Sequence, residues 1–237
     1  MATQKVNEAE SYGITIEPAE VGLGENYWRV IQVRHLTPEE NGGNHHVYMD
    51  LIGEYGEPVI GAGLQVTWED GEVEVITEDK GPEEPAANAP MWKGQVCSVQ
   101  ALNLPSDRVM NLHTEHPDEA GGNTLYHHSF HVVWQRSIKK IFNHYVLFGP
   151  ADDPQTQANL VIALGYILRY KPAFGFKVEE AALAERVTII GGTSAVSYDA
   201  QDRLENAGCW VHRIEGDSRS IDRVLTELQK SGAPFPD

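Results

Sequence analysis

The sequence predicts a two-domain α+β protein: an N-terminal antiparallel β-sandwich, then a small α/β domain with a parallel sheet. Three observations lead there. Between Tyr27 and about Gln135 the chain reads as short runs rich in β-branched and aromatic residues, often alternating apolar and polar. From about Tyr145 the pattern becomes one of short apolar strands alternating with helices. The change falls at RSIKKIFN, residues 136–143, whose basic character interrupts an acidic chain. The implied boundaries are an N-terminal arm over 1–24, a sandwich over 25–136 and an α/β domain over 137–237.

In the first domain, strands are expected in YWRVIQVRHL, HHVYMDLIG, LQVTWED, EVEVITED, GQVCSVQAL and HHSFHVVWQ. Gly, Pro, Asn and Asp clusters separate them, as turns require. The segment EDKGPEEPAANAP reads as an exposed, acidic, proline-rich loop. In the second domain HYVLFG is a strand. DPQTQANLVIALGYILRY is a helix whose core face is expected to carry Leu160, Ala163, Leu164 and Ile167. VEEAALAE is a short helix and RVTIIGG a strand. SYDAQDRLENAG is a helix with Ser197 as N-cap and Gly208 just past its end. CWVHRIEG is a strand, and the last helix carries the stripe Ile221, Val224, Leu225 and Leu228.

Composition narrows the function. The chain has 237 residues, 41% of them hydrophobic, enough for one large core or two small ones. A formal net charge of -17 disfavours nucleic acid, whose phosphates need Lys and Arg. No apolar run reaches the roughly 18–20 residues of a membrane span. The first residues, MATQKVNEAESYG, carry neither the basic nor the apolar part of a signal peptide. Cys97 and Cys209 are too few and too far apart for a disulfide framework and read as small buried hydrophobes.

The stretch VTIIGGTSAVS, residues 187–197, has the outline of a phosphate loop. It has no Lys after its glycines, so it is not a P-loop, and Gly191 and Gly192 do not complete G-x-G-x-x-G. It reads as a tight strand-to-helix turn capped by Ser197. The longer segment RVTIIGGTSAVSYDAQDRLENAGCWVHRIEGDSR resembles the bacterial cell wall-binding repeat type 2 family. The likeness rests on Ile189 to Ser197, then Leu204 and Gly208, then Arg213, Ile214, Gly216 and Arg219, and covers about 144–231. The resemblance implies a three-layer α/β unit attached without covalent bonds to bacterial cell-wall polymer. Gly191, Gly192, Thr193, Ser194, Arg213 and Arg219 are then its candidate ligand contacts. The family usually carries three repeats about a pseudo-threefold axis and this chain has one, so a homo-oligomer, a trimer or a polymer, is expected. The first domain resembles transthyretin-like or carboxypeptidase-regulatory sandwiches of the Ig-like class, on VYMDLIGEYGEPVIGAGLQVTW.

Eight of the ten histidines lie between His35 and His131. Neutral imidazoles bind divalent transition metals. His113, His116 and one of His127 or His131 would converge if the LHTEH loop folds back on the last sandwich strand, with Glu115 nearby. Alternation puts His127, Ser129 and His131 on one face and His128 on the other. The alternative is that these are sheet-surface and hydrogen-bonded core histidines; no HExxH occurs. Among Tyr27, Trp28, Trp68, Trp92, Tyr126 and Trp134, Trp92 is the surface candidate for glycan stacking. The leading expectation is a non-enzymatic attachment protein for cell-wall polymer or glycan, extracellular, cell-surface or virion-associated, with a cytoplasmic site still open. The alternatives are a structural assembly protein of a virion or filament, or an accessory module of a wall-degrading enzyme. In the assembly reading, residues 3–18 add as a strand to a neighbouring copy.

Overall fold

The structure is a computed structural model that describes residues 5–81, 84–119 and 127–235. The chain forms two compact units, 1–137 and 138–237, divided within the basic segment.

Unit 1 is built from two sheets. In the first, β2 (Asn26–Leu36), β9 (Ser129–Ile138), β3 (His46–Ile52) and β6 (Ala87–Pro90) lie in that order. In the second the order is β1 (Thr15–Glu17), β8 (Arg108–Leu112), β7 (Cys97–Ala101), β4 (Gly63–Trp68) and β5 (Gly71–Ile76). Alternate residues of both sheets meet in one core. Val47, Met49 and Leu51 with Phe130, Val132 and Trp134 come from the first sheet, and Leu64, Val66, Val99 and Val109 from the second. That is the period of two that strands impose. The Trp134 indole N–H donates to the Asp107 carbonyl at 3.0 Å, so a buried polar atom is satisfied within the core. Cys97 is buried here and Cys209 in unit 2, both as free thiols.

Three details depart from the expectation. β3 and β9 run parallel, Val47 opposite Phe130 through Ile52 opposite Gln135, so the first sheet is mixed, while the second is antiparallel throughout. Alternation defines a strand's buried face but not its direction relative to a neighbour far away in sequence. The proline-rich segment ends in β6, whose Ala87 and Ala89 are buried. Alanines give a weak apolar signal, and β6 is an edge strand, where Pro90 is tolerated. Finally, the first 24 residues contribute β1, which pairs with β8 of the same chain, while Ala9 and Ile14 enter the core. Residues 6–8 bond to Val33 of β2, with Val33 N to Val6 O at 2.7 Å and Glu8 N to Val33 O at 2.9 Å.

A short helix, α1 (Pro38–Asn41), follows β2. Thr37 and Glu40 close a capping box at its start, which fixes so short a helix. It presents buried Asn41 toward the beginning of β9.

Unit 2 alternates strand and helix: β10 (Phe142–Phe148), α2 (Pro154–Tyr170), β11 (Ala173–Gly175), α3 (Val178–Ala181), β12 (Ala184–Ile190), α4 (Tyr198–Asn206), β13 (Trp210–Ile214) and α5 (Ser218–Ser231). The sheet is wholly parallel, in the order β11-β10-β12-β13. One face packs Tyr145, Leu147, Val187 and Ile189 against Ala181 and Leu204 of α3 and α4. The other packs Val146, Phe148, Ile190 and Ile214 against α2 and α5. The result is three layers, and apolar runs such as VTII serve strands covered on both faces. Ser197 caps α4 by accepting from Ala200 N at 3.1 Å, and Gly208 takes φ 79° beyond its end. On α5, Ile221 and Leu225 are buried and Val224 and Leu228 pack beside them. On α2 the core face is Thr156, Asn159, Ala163, Tyr166 and Ile167. Leu164 lies off it at 50% exposure, because the helix turns its polar Thr156 and Asn159 inward instead.

Candidate functional site

His35, His113, His116 and His128 of unit 1 come together where the loop after β8, the entry to β9 and the end of β2 meet the 3-10 turn Glu10–Tyr12. In the loop, Glu119 N bonds to His116 O at 2.9 Å, closing a turn over Pro117 and Asp118. That turn carries the Glu119 carboxylate back over the loop. Asn41 holds the third side, donating from Nδ2 to His127 O at 2.8 Å and Ser129 Oγ at 2.9 Å. His116, Glu119 and His128 thereby place one ligand atom each within 4.8 Å of one another. This arrangement is consistent with a divalent transition-metal site.

Each of the three is oriented by a second contact. His116 Nε2 donates to the His113 carbonyl at 2.8 Å, which leaves Nδ1 with its lone pair. His128 Nδ1 lies 2.7 Å from His35 Nε2; when it donates there, His128 Nε2 keeps its lone pair. Glu119 accepts from Glu115 N at 2.8 Å and His128 N at 3.3 Å, and its Oε2 lies 3.2 Å from His127 Nδ1. Tyr12 stacks on His35, ring centroids 4.0 Å apart, and meets His116 and His128 edge-on.

Electrostatics agree with the geometry. Burial, with repulsion from neighbouring imidazoles, lowers the pKa of His35 and His116, so both are neutral at pH 7. The Glu119 side chain is only 3% exposed. Burial pushes its pKa up, but the two backbone N–H donors and His127 more than offset that and hold it below the usual carboxylate range.

The four histidines named from the sequence are distributed unevenly. His116 belongs to the cluster. His113 stacks on it, with centroids 4.2 Å apart, and its Nδ1 lies 2.8 Å from the Thr114 carbonyl. His127 meets the cluster through Glu119, with Nδ1 3.2 Å from Glu119 Oε2. His131 points elsewhere, with Nε2 2.6 Å from Asp50 Oδ2. Glu115 takes φ 67° and pairs with Lys93 at 3.2 Å, so Glu119 supplies the carboxylate in its place. Sequence reasoning missed Glu119, His128, His35 and Tyr12. The spacing of His116 and Glu119 in one turn was the available signal; the entry of His128 before β9 begins breaks the strand alternation that set it apart. Trp92 is 60% exposed and its ring lies 5.5 Å from His45, which in turn meets His127 edge-on. Trp28 and Trp134 are buried, Tyr27 and Trp68 are half-buried, and Tyr126 lies outside the described residues.

Unit 2 carries a separate groove of about 770 Å³ at the carboxyl ends of β10 and β12. Strand order reverses between these two, the place where open α/β sheets receive ligands. Gly191, Gly192, Thr193 and Ser194 line it, with Asp153, Gln155, Asn159 and Glu215. Among the described residues lining it, two are carboxylates and none is Lys or Arg. Arg213 works behind the loop: it donates to the carbonyls of Gly191, Val196 and Ser197 and to Gln201 Oε1. Arg219 is exposed in the first turn of α5. So the GGTSAVS segment is a turn clamped from below by a guanidinium, with hydroxyls and backbone facing the groove.

Comparison with protein families, with curated proteins and with solved structures gives no match to this chain. Among the described residues no helix is long and apolar enough to cross a membrane.

Proposed function

We propose that the protein is a non-enzymatic attachment protein that binds a polymer of the bacterial cell wall or a related glycan through unit 2. It would act outside the cell, on a cell surface or on a virion. The observation that carries this is the groove at the strand-order reversal of the parallel sheet. Its lining is made of hydroxyls, side-chain amides, backbone and two carboxylates. Such a lining suits the hydroxyls of a neutral glycan, whereas uncompensated carboxylates repel phosphate. The resemblance of residues 144–231 to cell wall-binding repeats supports the same reading.

The test is cosedimentation of the full chain with purified wall sacculi, before and after acid removal of secondary polymers. Gly192 offers a clean block, since a Cβ there meets nothing within 4 Å. Binding that disappears in Gly192→Trp supports the groove. Equal binding by the two proteins, or none by either, would sink the proposal.

One observation favours an assembly role as a second reading. On α2, Val161, Leu164 and Leu168 are all exposed and share a helix face. Self-association through that row would supply the homo-oligomer expected of a single repeat. Light scattering that returns one-chain mass at all concentrations would exclude it.

A further inference from the structure

We propose that unit 1 binds one divalent transition-metal ion, of the zinc, nickel or copper type, through His116 Nδ1, His128 Nε2 and a carboxylate oxygen of Glu119. This is independent of the groove in unit 2. Two imidazoles and one carboxylate form an N/O set that suits such ions better than the all-oxygen preference of calcium or magnesium. Bonds of about 2.0–2.1 Å in a tetrahedron put ligand atoms roughly 3.3 Å apart, so the three atoms, now within 4.8 Å, draw in by roughly 1.5 Å or less. Small ring rotations and a carboxylate swing achieve that.

The supporting contacts favour a built site over a chance meeting of polar groups. Metal-bound imidazoles as a rule donate their other N–H to a fixed acceptor. His116 does so to the His113 carbonyl, and His128 has His35 Nε2 in position to accept. The Glu119 carboxylate, almost wholly buried, lacks any Lys or Arg partner among the described contacts, so a cation at this point would neutralise it. Asp118, largely exposed, lies 3.7 Å from His128 Nε2. Three protein ligands leave a coordination position for water or a ligand atom. The ion would also tie the β8–β9 connection to the N-terminal segment, through His35 and the Tyr12 ring stacked on it.

The experiment uses untagged full chain, stripped with a chelator and dialysed. Zn²⁺ is titrated against a chromophoric competitor, and Co²⁺ is added separately to read its visible absorption. One equivalent of zinc and the strong absorption of low-coordinate cobalt are expected. Glu119→Gln keeps the side-chain shape and an acceptor oxygen; it should weaken zinc binding at least tenfold and alter the cobalt spectrum. His35→Phe should weaken binding by about 10- to 100-fold through loss of the orienting bond. His131→Ala should leave both readouts unchanged. Zinc uptake well below one equivalent by the native chain overturns the proposal. So does uptake that Glu119→Gln leaves intact, which would place the ion on surface histidines.

Discussion

Unit 2 sets its polar residues on loops along one edge of a parallel sheet, whereas unit 1 packs its imidazoles among aromatic rings under the chain's first turn. The groove residues of unit 2 lie in the loops after β10, β12 and β13 and at the start of α2, so strand order places them. The cluster in unit 1 joins residues 12, 35, 116, 119 and 128, which only the assembled sandwich brings near one another. A site dictated by topology tolerates changes in its side chains. A site dictated by packing depends on the core beneath it.

The largest effect should come from that core. Trp134→Ala removes a fully buried ring from unit 1 and should cost about 3–5 kcal/mol in urea unfolding followed by circular dichroism. It should also disturb the histidine arrangement, since His128 immediately precedes β9, the strand that carries Trp134. Retained zinc uptake in this variant would break the contrast. In unit 2 the matching perturbation is Gly149→Ala. A Cβ there would stand 2.6 Å from Ala195 Cβ and 3.1 Å from its Cα, so the GGTSAVS loop must move. A loss of about 1–3 kcal/mol is expected, with sacculus binding lost alongside it. Unchanged binding would separate the groove from its loop.

The pH response sharpens the contrast further. Burial, then the nearby Arg186 charge, pulls the His144 pKa from 6.5 down to about 4. As pH falls below 6.5 the unfolded chain takes up this proton before the folded one does. Stability from His144 is therefore complete above pH 6.5, declines between 6.5 and 4, and levels off below. The decline should be on the order of 2 kcal/mol after allowance for partial exposure. His144→Gln should flatten it in denaturation series across that range; an equal slope would place the effect on the other histidines that burial depresses in the same direction, His35, His45, His46 and His116 of unit 1 and His212 of unit 2. Ser197→Ala removes the α4 cap and should cost about 1 kcal/mol in the same assay. Leu164→Glu, on the exposed row of α2, should change stability by less than about 0.5 kcal/mol while preventing self-association in light scattering.

Much of unit 2 was legible because its signals are local. Ser197, Gly208 and the stripe of α5 lie where capping and helical period put them, and VTII turned into a loop at Gly191. Leu164 shows the limit: helical spacing offered two apolar rows on α2, and burial of Thr156 and Asn159 chose the other. In unit 1 most strands were legible as strands, yet β1, β6 and β8 were not, since short segments with alanines or isolated apolar residues carry little periodicity.

The sequence by itself determined two units, their change of period near residue 137, where most strands run, and the cap of α4. These depend on neighbours a few residues apart, through backbone geometry and side-chain alternation. Tertiary structure alone decided that β3 and β9 run parallel, that Ala9, Ile14 and β1 join the sandwich, and that Glu119 rather than Glu115 faces the imidazoles. Those outcomes turn on which distant segments share a core, and on a single left-handed residue, Glu115, that turns one carboxylate outward while the next turn brings another in.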